Sequence, residues 1–96
     1  MVPERDRVRV VACGELDLAN AGRLESEVDA LLDSGFTDVA VDLRELAFID
    51  SSGVHALVKC DRRAQGRLSV LLAPGPVARA IELCGVRGLL NVSEGG

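Results

Sequence analysis

The chain has 96 residues, 48% of them hydrophobic, and a formal net charge of −4. That length suits one domain with a single core, spanning 1–96, and the apolar content excludes a disordered chain. Two Phe and no Tyr or Trp leave no stacking platform for single-stranded nucleic acid, and the acidic balance argues against direct binding of a phosphate backbone.

The chemistry-bearing residues are few. A single histidine excludes a His-rich metal site, and neither a metal nor a cofactor is expected. Cys13, Cys60 and Cys84 are odd in number and contain no C-x-x-C pair, so they read as small buried hydrophobes in a reducing compartment. No apolar run approaches the roughly 18 residues that span a bilayer, and Pro3 to Arg7 interrupt any hydrophobic start. A cytoplasmic domain without membrane insertion is expected.

Arg7 to Cys13 is β-branched and apolar, a strand broken by Gly14. Asp17 is placed to cap a helix whose inward face is Ala21, Leu24, Val28 and Leu31, ended at Ser34-Gly35 by a left-handed residue. Thr37 to Leu43, with Val39-Ala40-Val41 in a row, reads as a strand covered on both faces. The stretch Ala47-Phe48-Ile49 is a further apolar run. Asp50-Ser51-Ser52-Gly53 then opens a helix running to about Gln65, with Val54, Leu57, Val58 and Ala64 inward and Gly66 as its stop.

Leu68 to Ala73 is a third strand. Pro76 starts a short helix with Val77, Ala80, Ile81 and Cys84 on one face, ending at Gly85. Leu89 to Val92 reads as a last strand, and Met1–Asp6 and Ser93–Gly96 as frayed ends. The alternation predicts an α/β domain: a mostly parallel sheet of about four strands with about three helices.

Two stretches carry a resemblance. Gly14-Glu15-Leu16-Asp17 resembles the turn after the first long strand of STAS domains. Val41-Asp42-Leu43 and Phe48-Ile49-Asp50-Ser51-Ser52-Gly53-Val54 resemble the signature around their phosphorylated serine. Together they are similar to bacterial anti-sigma-factor antagonists over nearly the whole chain, although the family's N-terminal strand and C-terminal helix are short or missing here. The resemblance implies partner switching. The unphosphorylated antagonist binds an anti-sigma factor that is also a serine kinase; phosphorylation releases it, and a PP2C-type serine phosphatase resets it. The phosphoacceptor maps onto Ser51, and Asp17 lies near that site in the family. His55 and Lys59 are more polar than the family pattern after its glycine.

The residues themselves support a switch more than a catalyst. With Asp50 as N-cap, Ser51 is the first helical residue, its hydroxyl beside unpaired N–H groups. Asp17, Asp50, Ser51, Ser52, Gly53, His55 and Lys59 form the expected partner-binding set. His55 lies four residues after Ser51, but no second histidine or G-x-S-x-G elbow supports a hydrolase, so no enzyme is expected. The alternative is a non-switching STAS interaction module, such as an accessory subunit of a lipid transporter or a component of a stress-sensing complex.

Overall fold

A computed structural model describes residues 7–90 and 92–94. The chain alternates β1 (Arg7–Leu16), α1 (Ala21–Asp33), β2 (Asp38–Ile49), α2 (Ser51–Ala64), β3 (Leu68–Leu72), α3 (Pro76–Leu83) and the short β4 (Val92–Glu94). The strands lie in the order β1-β2-β3-β4, every neighbouring pair parallel. Three strands do most of the pairing. The fourth adds three residues: a 3-10 turn occupies Arg87–Leu89, so the strand expected over Leu89–Val92 begins only at Val92. Ser93 and Glu94 are paired rather than frayed; Met1–Asp6 and residues 95–96 lie outside the described residues.

The core is aliphatic, as the lack of aromatics requires. Val39, Val41 and Leu43 of β2 and Leu68, Val70 and Leu72 of β3 make one buried stripe. It joins Leu24, Val28 and Leu32 of α1 with Val54, Leu57 and Val58 of α2 in one cluster. Leu32 takes the central place expected of Leu31, which is half-buried. The second face of β2 is only partly covered, since Ala40 is half-buried. Cys60 is sealed in the core, and burial pushes its thiol up to about 11, with Glu25 and Asp29 adding to the shift. Cys13 and Cys84 are exposed, contrary to expectation. Cys13 sits on the uncovered face of β1, and Cys84 follows the last turn of α3, where the helix has already left the core.

β2 runs six residues beyond the expected end at Leu43. Two register shifts against β1, between Val11 and Cys13 and between Gly14 and Glu15, let it do so. Each gives β2 one residue more than β1, so the strand bends near its C-terminal end. That end carries Asp50.

One buried carboxylate holds the middle of β2. Asp42 is 5% exposed and accepts three hydrogen bonds from Arg44: from its backbone N–H (3.0 Å), Nε (2.9 Å) and Nη2 (2.8 Å). The Arg44 side-chain bonds pull the Asp42 carboxyl down to about 2, against burial and with help from Arg9. A depressed folded value means this stabilisation is complete above the ordinary value of 3.8 and is lost as pH falls from there through 2. Replacing Asp42 with Asn is expected to lower stability at pH 7 by about 1–3 kcal/mol. Urea denaturation of both proteins should show the gap closing between pH 4 and 2.

Candidate functional site

The C-terminal ends of β1 and β2 bring two turns together. In the parallel register Leu16 pairs with Ile49, so residue 17 leaves the sheet beside residue 50. The Asp50 N–H donates to the Leu16 carbonyl (3.1 Å), fastening one turn to the other.

Asp50 caps α2 as expected. Its backbone is extended, and its carboxylate accepts from the Gly53 N–H at 3.0 Å. Such a cap is worth about 1 kcal/mol. Ser51 is the first helical residue and is exposed; Ser52 is half-buried. The N–H groups of Ser51 and Ser52 precede the helical ladder and have no acceptor within it. The helix ends at Ala64 with Gln65 left-handed (φ 50°), close to the expected boundary.

Gly53 is buried, and the reason is internal. A Cβ built on it would sit 2.7 Å from the Leu16 carbonyl oxygen and 2.8 Å from Ile49 Cγ1. Glycine therefore lets the first turn of α2 press onto the end of β1. It shapes the surface from beneath instead of lying on it.

Asp17 does not cap α1, which begins at Ala21 after Asn20. Asp17 instead builds a turn. Its carboxylate accepts from the Ala19 N–H (3.0 Å), and its carbonyl accepts from Asn20 (3.1 Å) and Ala21 (2.8 Å). The Asn20 side chain accepts from the Asp17 N–H (2.9 Å) and donates to the Glu15 carbonyl (2.9 Å). Two residues that compete well for local backbone groups have delayed the helix by one turn.

Helix α1 keeps step with α2 through ion pairs. Lys59 Nζ lies 3.4 Å from Glu25, and Arg63 pairs with Asp29. Both pairs are 34 residues apart in the chain, so the helices run parallel in register. The Asp17 turn precedes α1 at the end where Ser51 opens α2. His55 is exposed on the Ser51 face of α2. Lys59, expected at the partner surface, is drawn toward Glu25. The structure thus gathers Asp17, Asp50, Ser51 and Ser52 at one end, with His55 one turn along and Lys59 two.

Sequence reasoning missed Leu18. It lies between Asp17 and Ala19 in the turn and is 79% exposed. An apolar residue in a turn leaves no periodic signal to find it by.

Three grooves among the described residues are lined by residues other than Ser51 and His55. Among the described residues no group of His, Cys, Asp or Glu is placed to hold a metal ion, and no helix is long and apolar enough to cross a membrane. What remains is an α/β domain that offers a capped serine and a rigid neighbouring turn at one end of its sheet.

Comparison with known proteins places that class. The family model "Mlab, STAS domain" matches residues 2–91, and the chain belongs to the STAS domain family. Among curated relatives, BtrV of Bordetella bronchiseptica, a candidate anti-sigma factor antagonist, is 32% identical over 90 residues, covering 88% of this chain and 78% of BtrV. The anti-sigma-B factor antagonist of Staphylococcus aureus (strain NCTC 8325) is 28% identical over 85 residues, covering 85% of this chain and 79% of the relative. The solved structure of the anti-sigma factor antagonist SpoIIAA in its unphosphorylated form superposes with a TM-score of 0.69 at 20% identity, covering 100% of this chain and 86% of that one. Its phosphorylated form from Bacillus gives the same TM-score at 21% identity, covering 100% and 88%.

Proposed function

We propose that this domain is an anti-sigma factor antagonist whose docking is controlled by a phosphate on Ser51. Unphosphorylated, it binds an anti-sigma factor in the cytoplasm and so frees a sigma factor. The anti-sigma factor is also the serine kinase: the Ser51 hydroxyl oxygen attacks the γ-phosphorus of ATP, ADP leaves, and the hydroxyl proton passes to a base of the kinase. Phosphoserine 51 ends the contact, and a PP2C-type phosphatase hydrolyses it to restore binding.

The observation that carries this reading is the placement of Ser51. It is exposed on the first turn of α2, beside the N–H groups of a helix start, on a turn fixed by the Asp50 cap and by the fit of Gly53. The helix dipole favours a phosphate there by about 0.3–1 kcal/mol, and the neighbouring Asp50 carboxylate opposes it. The scaffold therefore tolerates the modification while the surface changes sharply.

Incubation with the purified cognate anti-sigma factor and ATP, followed by phosphosite mapping, tests the proposal. One phosphate on Ser51 is expected, and none on a Ser51→Ala variant. No transfer, with binding intact, would favour the second reading, a non-switching STAS interaction module. The breadth of the matching family model, whose description is not that of an antagonist, keeps that reading relevant.

A further inference from the structure

We propose that Leu18 is the apolar anchor of the contact that Ser51 switches, filling a socket on the partner protein. The inference rests on the docking role proposed above and names the residue that supplies its affinity.

A single exposed leucine is ordinary on a protein surface. Leu18 differs in how it is held and where. The hydrogen bonds that Asp17 and Asn20 make on either side of it fix the turn at both ends. A side chain presented on a fixed backbone loses little freedom on binding, so more of its burial appears as affinity. The strand pairing of Leu16 with Ile49 and the Asp50 N–H bond to the Leu16 carbonyl put this turn beside the start of α2, which carries Ser51.

The surrounding charge describes the occupant. Asp17 and Asp50 flank the two turns, and Glu15 is exposed at the end of β1. The cations of the adjoining helices, Arg23 and Lys59, are drawn to Glu27 and Glu25. The rim around Leu18 is therefore acidic. It fits a protein surface with an apolar socket ringed by basic groups, each matched by a carboxylate of this domain. Leu18 also excludes water from the contact, which makes an added dianion costly there.

The test measures binding of the purified cognate anti-sigma factor by calorimetry. Leu18→Ala should weaken affinity at least tenfold, Leu18→Met should retain it, and Leu83→Ala, altering a leucine 81% exposed on α3, should leave it unchanged. All three variants should unfold at the wild-type urea midpoint. Wild-type binding released by Ser51 phosphorylation, with Leu18→Ala binding within twofold of wild type, overturns the anchor and leaves the switch standing. An equal loss in Leu83→Ala also overturns it. A wild-type protein that does not bind, or binds equally when phosphorylated, overturns the switch and the anchor with it.

Discussion

Replacing Gly53 with alanine is expected to lower stability by about 2 kcal/mol, and the sign is the informative part. In an exposed helix interior the same change stabilises by about 1 kcal/mol, because alanine is the better helix former. Here the added Cβ would lie 2.7 Å from the Leu16 carbonyl oxygen, 2.8 Å from Ile49 Cγ1 and 3.0 Å from Leu16 Cγ. The carbonyl belongs to the strand and is already engaged by the Asp50 N–H, so it cannot swing aside as a long side chain would. Overpacking of this kind costs about 1–3 kcal/mol and occasionally more. The helix start would have to lift from β1, which also separates Ser51 from the Leu18 turn. Urea denaturation reads the stability and partner titration the separation. A Gly53→Ala protein as stable as wild type would show that the two turns are not wedged together as described.

How much of this was legible in the sequence depended on how locally each feature is determined. Helix α2 was readable at both ends, because Asp50 caps it and Gly66 follows its left-handed terminus within a few residues. The parallel α/β architecture followed from the alternation of elements. The tail of β2 was not readable. Its two register shifts against β1 place Arg44, Glu45, Ala47 and Phe48 on the surface and break the alternation that marks a strand. Asp17 looked like a cap since it precedes a helical pattern, but Asn20, three residues later, binds the Asp17 N–H and the Glu15 carbonyl and holds the chain in a turn. Cys13 was assigned inward on average behaviour, which cannot distinguish the two faces of an edge strand, and Cys84 by helical spacing that runs past the end of α3 at Leu83. Of the site, Asp50 and Ser51 were visible as a motif. The roles of Gly53 and Leu18 depend on Leu16 and Ile49 arriving from two different strands.

Replacing Ser51 with aspartate is expected to weaken the anti-sigma contact at least tenfold while leaving the fold intact, and true phosphorylation should weaken it about a thousandfold. The first half follows from geometry. Ser51 is exposed and makes its helical contribution through the backbone, so a larger side chain there displaces no core atom. Acidic groups also suit a helix N-terminus. The second half follows from what docking would bury. A phosphoserine carries about −1.5 to −2 charges, and enclosing such a group without compensation costs several kcal/mol. A loss of about 4 kcal/mol is about a thousandfold in affinity. Aspartate brings one charge and less bulk, hence the smaller effect. Calorimetric titration of wild-type, Ser51→Asp and enzymatically phosphorylated protein, each checked for an unchanged urea midpoint, decides the matter. Equal affinities would mean that Ser51 faces solvent in the complex, and a shifted midpoint would mean that the charge acts on the scaffold and not on the contact.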